Sequence, residues 1–138
     1  AIFALMALGA EGVQMGTRFA LTDESSASDI FKEYCLRLNE GDTKLLLKKL
    51  APTRLVTNSF RDRVEAAEGR GASAEELREL LGRGRAKKGI FEGDLEEGEL
   101  EIGQVAALFR RRQSVDEVMK ELLEGYRRAS DKIRSAGL

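Results

Sequence analysis

The 138-residue chain contains no histidine and only one cysteine. With the single cysteine Cys35, no disulfide can form within the chain, which predicts a reducing, cytoplasmic compartment. Without histidine, the chain lacks the usual base that activates a thiol nucleophile. Cys35 also lies between Tyr34 and Leu36 in a helical pattern. We therefore interpret it as a small buried hydrophobe of the core rather than a catalytic residue.

The chain also lacks an excess of charge of either sign and a long hydrophobic run. Lys plus Arg total 23 against 24 for Asp plus Glu, so no broad field would attract nucleic acid or an anionic membrane. The apolar opening AIFALMALGA is too short to span a bilayer, and no basic segment precedes it. It is typical of the end of a buried helix that stops at Gly9, so we expect the chain to begin in mid-element. We expect no nucleic-acid partner and no membrane partner.

A short apolar stretch follows Gly9. Residues 12–16, Gly-Val-Gln-Met-Gly, predict a fully buried strand of four or five residues. A helix that leads into a buried strand is half of a βαβ unit. A parallel α/β architecture is therefore the leading hypothesis.

Much of the remaining chain predicts helices. Apolar residues recur at a spacing of three to four within residues 25–38 and 53–68, and a further helix is predicted over 103–112. Ser73 and Ser114 are each followed three residues later by glutamate, which is the capping-box pattern that opens a helix.

Two segments are less regular. Residues 43–50 fit either a strand or a short helix, and the pattern leaves both open. Residues 82–98 contain five glycines among charged residues, which predicts an irregular, lid-like surface segment.

The run Gln14-Met15-Gly16-Thr17 is the stretch most informative about chemistry. A predicted buried strand leads there into a glycine, a hydroxyl residue and a helical turn. Glycine lets the backbone approach an anion, and the N–H groups at the start of a helical turn point toward it. The turn is compatible with phosphate binding, and equally with a tight connection that has no ligand.

The run ALGAEGVQMGTRFALTDES resembles the segment that closes the barrel in the family of nitronate monooxygenases and type II enoyl-acyl-carrier-protein reductases. Pro52-Thr53-Arg54 with Asn58, and Gly103-Gln104, are similar to later segments of that family. The resemblance implies an α/β fold, namely the C-terminal part of a TIM-type (β/α) barrel. Residues 1–24 would supply its last helix, last strand and phosphate-binding turn, and residues 25–138 a mainly helical C-terminal subdomain.

The same resemblance implies FMN as cofactor, with NADH or NADPH as hydride donor. Gln14, Met15, Gly16 and Thr17 would lie at the FMN phosphate, while Arg18 and Phe19 match the motif without needing to touch the cofactor. A monovalent cation could be held by backbone carbonyls of residues 82–98. The family's histidine acid precedes the matching segment, so we assign no catalytic residue in this chain. We expect these 138 residues alone neither to close a barrel nor to catalyse the reaction, since a barrel ordinarily needs about 250 residues.

Residues 94–104 look more like the reductase branch of the family. The expected reaction is reduction of an enoyl-acyl carrier protein in bacterial fatty acid synthesis, by a homodimer. Nitronate oxidation with oxygen on the same scaffold is the first alternative. A non-catalytic helical interaction module, suggested by the amphipathic region 105–135, is the second.

Two groups of charged residues are interpreted as solvated surface and not as binding sites. The basic residues of 83–88 and 110–112 could meet a phosphate-bearing partner, but flanking acidic residues favour solvated faces. The four glutamates within 96–101 have no histidine or asparagine at ligand spacing. We expect them to be solvated carboxylates, and we expect no metal site there.

Overall fold

The computed structural model describes residues 1–137 as α-helices, one small sheet and irregular connections. The α-helices are α1 (Ile2–Ala7), α2 (Thr17–Ala20), α3 (Asp29–Cys35), α4 (Ser59–Gly69), α5 (Ala74–Leu81) and α6 (Val115–Ser135). The strands are β1 (Thr43–Leu46) and β2 (Thr53–Val56). A π-helical turn covers Lys87–Phe91, and a 3-10 helix covers Gln104–Leu108. Helices and strands are both present, as predicted for the α/β class, but the one sheet within residues 1–137 is antiparallel and not parallel.

Polar side chains determine where the longer helices begin. The Ser73 and Ser114 hydroxyls accept hydrogen bonds from the backbone N–H groups of Glu76 and Glu117, both at 3.2 Å. The two glutamate carboxylates accept the serine N–H groups in return, so both predicted capping boxes are confirmed. The Asn58 side chain caps α4 in the same manner, by accepting from the N–H of Arg61.

The first helix ends at Gly9, as predicted. The Gly9 N–H donates to the Met6 carbonyl and the Ala10 N–H to the Leu5 carbonyl, each at 3.0 Å. This Schellman motif needs the left-handed backbone of Gly9, whose φ is +97°. The helix is not buried as predicted, because Leu8 is 85% exposed. Its main neighbour within residues 1–137 is α6.

The strand predicted over residues 12–16 is not observed. A parallel strand takes its backbone hydrogen bonds from strands beside it, and the only sheet within residues 1–137 is the β1–β2 pair. Without strands beside it, this stretch forms no regular element, and Gln14 is exposed. That these residues belong to a barrel stays a prediction.

The sheet resolves one ambiguity and corrects one prediction. β1 and β2 pair antiparallel, with Thr43 opposite Val56, so the 43–50 segment begins as a strand. The helix predicted over 53–68 is wrong for residues 53–56. Those residues pair with β1 instead, and the Val56 N–H donates to the Leu100 carbonyl on the other side at 2.9 Å.

Two other helices are shorter than predicted. The Ser28 hydroxyl accepts from the Phe31 N–H, so α3 begins at Asp29 and not at residue 25. The helix predicted over 103–112 is only the 3-10 helix, because Phe109 adopts an extended conformation with φ of −103° and ψ of 135°. Leu108 consequently does not pack into a core and is 77% exposed.

Two hydrophobic clusters form the core. The first joins α3, the end of β2 and residues 100–106; its buried members are Leu21, Ala27, Phe31, Cys35, Leu36, Leu38, Val56, Leu100, Ile102 and Ala106. The second packs the sheet against α4 and α5; its buried members are Leu46, Leu47, Leu55, Phe60, Val64, Ala67, Ala72 and Leu77. Cys35 is fully buried in the first cluster, so its interpretation as a core residue is confirmed. Burial raises the pKa of its thiol to about 12.

The glycine-rich segment 82–98 is irregular only outside the π-helical turn Lys87–Phe91, and it is packed rather than free as a lid would be. Gly89 is buried, and a Cβ atom on Gly98 would lie 2.2 Å from the Gly89 Cα. Arg85 donates to the Glu97 carbonyl at 2.7 Å, and its guanidinium lies 4.5 Å from the centre of the Phe60 ring. The segment is thereby held against α4.

The two predicted units, residues 1–24 and 25–138, contact each other within the described range. The Asp23 N–H donates to the Gln113 carbonyl at 3.1 Å, and the Glu24 carboxylate accepts from the N–H of Val115 at 2.9 Å. The first turn of α6 is therefore anchored on residues 23–24. The boundary at residue 24 stays a prediction. None of the helices within residues 1–137 is both long and apolar enough to cross a lipid bilayer.

Candidate functional site

Gly16 and Thr17 lie at an open depression of about 300 Å³. Three parts of the chain that are distant in sequence meet there: the start of α2, strand β2 and residues 101–103. The lining residues are Gly16, Thr17, Ala20, Arg54, Glu101, Ile102 and Gly103.

A close contact between Thr17 and Gly103 holds two sides of the depression together. The Gly103 N–H donates to the Thr17 Oγ1 at 3.0 Å. A Cβ atom on residue 103 would lie only 2.5 Å from that oxygen, so glycine is required by the close approach. Thr17 Oγ1 donates to no group within residues 1–137, which leaves its hydrogen available to a ligand.

The backbone at the start of α2 offers further donors. The Phe19 and Ala20 N–H groups both donate to the Gly16 carbonyl, at 3.0 and 2.9 Å. The Thr17 and Arg18 N–H groups donate to no acceptor in the part of the chain that the structure describes. Unpaired N–H groups beside a hydroxyl are suited to an anionic oxygen.

The structure brings together only two of the four residues predicted at the cofactor phosphate. Gly16 and Thr17 line the depression, whereas Gln14 is exposed and does not. Met15 lines a separate cavity of about 200 Å³ between α1 and α6, next to Phe3.

Arg18 connects α2 to α6. Its guanidinium donates to the carboxylate of Glu121 and to the Gln113 side chain, and it lies 4.6 Å from the centre of the Phe109 ring. These contacts occupy the guanidinium of Arg18.

Arg54 is the cation at the depression. Sequence reasoning matched this residue to the family without assigning it to the site, and the signal was the Pro52-Thr53-Arg54 run. Its guanidinium donates to the hydroxyl and carbonyl oxygens of Thr43, at 3.3 and 3.4 Å. No carboxylate within residues 1–137 lies within 4.0 Å of it. Its charge is therefore available to a ligand.

Two carboxyl groups near the depression have a raised pKa. Partial loss of solvation raises the pKa of Glu101, an exposed residue that lines the depression. Burial and, secondly, the charge of Glu101 raise the pKa of Glu99 to about 7, against the opposing effect of Arg85. Glu99 is only 8% exposed. The expectation that the glutamates of 96–101 are solvated is therefore wrong for Glu99, because its backbone is bonded to the carbonyl of Arg85 and packed on Gly89.

Arg111 and Arg112 make ion pairs with carboxylates. Arg111 contacts Glu117 and Glu121, and Arg112 contacts Asp23 and Asp29. Residues 1–137 contain no group of three or more His, Cys, Asp or Glu side chains placed to hold a metal ion.

Comparison with known proteins identifies the family. The nitronate monooxygenase family model matches residues 1–125, and the chain belongs to that family. The resemblance inferred from residues 7–25 is thus confirmed.

Among solved structures, the chain is similar to FabK from Thermotoga maritima. The TM-score is 0.84 at 31% sequence identity, with 96% of this chain and 42% of that chain covered. The M276A mutant of the same FabK gives a TM-score of 0.79 at 29% identity, with 97% and 40% covered.

Curated relatives carry the name probable nitronate monooxygenase. The protein from Staphylococcus saprophyticus is 52% identical over 62 residues, which cover 43% of this chain and 17% of the relative. The protein from Staphylococcus aureus strain JH9 is 38% identical over 71 residues, which cover 49% and 19%. The matched regions thus span less than a fifth of these relatives and about two-fifths of the FabK chains.

Proposed function

We propose that this chain is part of an FMN-dependent oxidoreductase that reduces the enoyl thioester of an acyl carrier protein, with NADH or NADPH as hydride donor. Family membership supports a flavin-dependent oxidoreductase. The observation that carries the choice of branch is the similarity to FabK over 96% of the chain. A role in fatty acid synthesis, a cytoplasmic homodimer and a monovalent cation held by backbone carbonyls are parts of the same proposal.

The depression fits the phosphate of FMN. The Thr17 hydroxyl and the Thr17 and Arg18 N–H groups would be its donors. Gly16 has no side chain to obstruct an anion. When bound, FMN supplies the redox chemistry. The residues of this chain would hold and orient it, and none of them is assigned as the proton donor.

Nitronate oxidation is the second candidate function. The curated staphylococcal relatives are named for it, and it would use the same depression. The helical interaction module is disfavoured, since the family model covers residues 1–125 rather than the amphipathic region alone.

The first experiment compares the two reactions in the protein at its natural length. FMN content is measured first. NADH or NADPH oxidation with a crotonyl thioester under argon is then compared with oxygen consumption on an alkyl nitronate in air. Thioester-dependent nucleotide oxidation is expected. Oxygen consumption with nitronate and no response to thioester would instead establish the second function.

A matched pair of variants tests the site. Thr17→Val removes the hydroxyl at the depression, and we expect FMN to bind about tenfold more weakly, the effect of losing one hydrogen bond to a charged group. Thr53→Val removes a hydroxyl that bonds only to the Ala51 carbonyl, and it should leave FMN affinity unchanged. Equal FMN affinity in the two variants would rule out the depression as the phosphate site.

A further inference from the structure

A second groove adjoins the depression on the far side of Arg54. It has a volume of about 700 Å³, and its lining residues are Glu40, Gly41, Thr43, Arg54, Gln104, Val105, Ala107, Leu108 and Arg110. Arg54 lines both the groove and the depression. A ligand in the groove would therefore lie next to whatever occupies the depression.

Two arginines of this groove lack a carboxylate partner. Arg110 donates through Nη1 to three backbone carbonyls at 2.7–3.5 Å, those of Leu36, Leu38 and Phe109. Arg54 donates only to Thr43. No acidic oxygen of residues 1–137 lies within 4.0 Å of either guanidinium, although Glu40 also lines the groove. Since a guanidinium has five N–H donors, both side chains retain charge and donors for an anion.

Arg110 differs from the next two arginines in its partners. Arg111 and Arg112 follow directly in the sequence, yet each contacts two carboxylates. The basic run of 110–112 is therefore divided: two of its members make ion pairs at the protein surface, and Arg110 faces the groove.

Three residues of the groove lining are aliphatic. Val105 and Leu108 are 47% and 77% exposed, and Ala107 lies beside them in the lining. No aromatic ring is among the described residues that line this groove. Because the lining offers no ring on which a nucleotide base could stack, it fits an aliphatic and amide arm better than a base.

We propose that Arg54 and Arg110 bind the phosphate of the phosphopantetheine arm of an acyl carrier protein, with the arm lying along Val105 and Leu108. Arginine recognises phosphate through paired N–H donors, and the aliphatic lining shields the chain that follows. The identity of the ligand rests on the proposed function, whereas the binding of a phosphate ester by the two arginines does not.

The test is a binding titration on the protein at its natural length, saturated with FMN. The probes are crotonyl-phosphopantetheine and crotonyl-pantetheine, which differ only in the phosphate. We expect the phosphorylated probe to bind about tenfold more tightly. In Arg110→Gln and in Arg54→Gln this ratio of dissociation constants should fall toward one. Arg111→Gln is the matched control and should keep the full ratio.

The ratio is measured within each variant, so partial unfolding does not imitate the expected result. A ratio of one in the unmodified protein, or an unchanged ratio in both groove variants, would overturn the proposal. So would a tenfold weaker affinity for NADH or NADPH in Arg110→Gln with thioester binding unaltered, since the groove would then serve the nucleotide. Because titration measures binding alone, a protein that shows the ratio but reduces no thioester would contradict only the proposed function.

A final comparison distinguishes two sources of the arm. Crotonyl-coenzyme A carries the same phosphopantetheine as the crotonylated acyl carrier protein. Tighter binding of the carrier-protein form supports the proposed partner. Tighter binding of the coenzyme A form, by tenfold or more, would overturn that assignment.

Discussion

The backbone N–H of Gly103 donates a 3.0 Å hydrogen bond to the side-chain oxygen of Thr17 across 86 residues of sequence. This bond joins the turn that carries the family motif to the segment that follows Ile102. The contact disfavours any larger residue at position 103, because the Thr17 oxygen occupies the space that a Cβ atom there would need.

Substitution of Gly103 should therefore depend on what stands at position 17. Gly103→Ala places a Cβ atom 2.5 Å from the Thr17 oxygen, and we expect it to lower the free energy of unfolding by about 1–3 kcal/mol. The same change in a Thr17→Ala background should cost less than half as much, since the obstructing oxygen is gone. Urea denaturation of the four proteins of this double-mutant cycle gives the coupling. Additive effects would contradict the contact.

The backbone contact between Gly98 and Gly89 predicts a larger loss of stability when Gly98 is substituted. Gly98→Ala would place a Cβ atom 2.2 Å from the Gly89 Cα, and two main-chain segments cannot yield as a flexible side chain does. We expect a loss of more than 3 kcal/mol in the free energy of unfolding, or failure to fold. The control is Gly125→Ala in α6, where the nearest atom is the end of Arg128 at 3.9 Å. Improved helix propensity should make that variant more stable by about 0.5–1 kcal/mol.

Glu99 predicts a dependence of stability on pH. Its pKa is raised to about 7 in the folded protein and is about 4.3 in an unfolded chain. The folded state therefore holds the proton more tightly, so the contribution of Glu99 to stability is fully present below about pH 4.3 and is lost as the pH rises through 7. Glu99→Gln should raise the free energy of unfolding at pH 8 by about 1–2 kcal/mol and flatten its decline between pH 5 and 8.

The pKa of Glu97 is shifted in the opposite direction to that of Glu99. The pKa of its carboxyl is lowered, chiefly by the hydrogen bond from Arg63, so Glu97→Gln should not raise stability at pH 8. Chemical denaturation at several pH values measures both variants. A gain from Glu97→Gln equal to that from Glu99→Gln would show that burial is not the cause.

The capping box of α6 predicts a smaller, local effect. Ser114→Ala removes the acceptor of the Glu117 N–H and should lower the free energy of unfolding by about 1 kcal/mol. Ser135→Ala, at the other end of the helix, removes only a hydroxyl that bonds to the Lys132 carbonyl and should change stability by less than about 0.5 kcal/mol. Thermal denaturation followed by circular dichroism compares them.

Features that depend on neighbouring residues could be predicted from the sequence. The capping boxes at Ser73 and Ser114 and the stop at Gly9 involve atoms only three to five residues apart, so their chemistry is visible in the sequence pattern. Strand β2 depends instead on pairing with β1 and on the Leu100 carbonyl. Its residues Leu55 and Val56 fit a helical spacing with Phe60 equally well, and the pattern alone favoured the wrong element.

The candidate site likewise combines residues that the sequence predicts with residues that it does not. Gly16 and Thr17 were identified from a local motif. Arg54 and Glu101 join them only after the chain has folded, and no spacing rule connects positions so far apart. The burial of Glu99 likewise depends on a contact with Arg85, which a glutamate-rich run does not reveal.

The contacts that anchor α6 determine where substitutions in this helix should affect stability. Its first turn is anchored by Glu24 and Gln113, and Val118 is its only buried residue within the described range. The family model ends at residue 125, one residue before Tyr126 meets Phe3 at a ring separation of 5.6 Å. Beyond that contact, none of the residues 127–135 is buried. Substitutions there should therefore change the free energy of unfolding less than substitutions in the anchored turn.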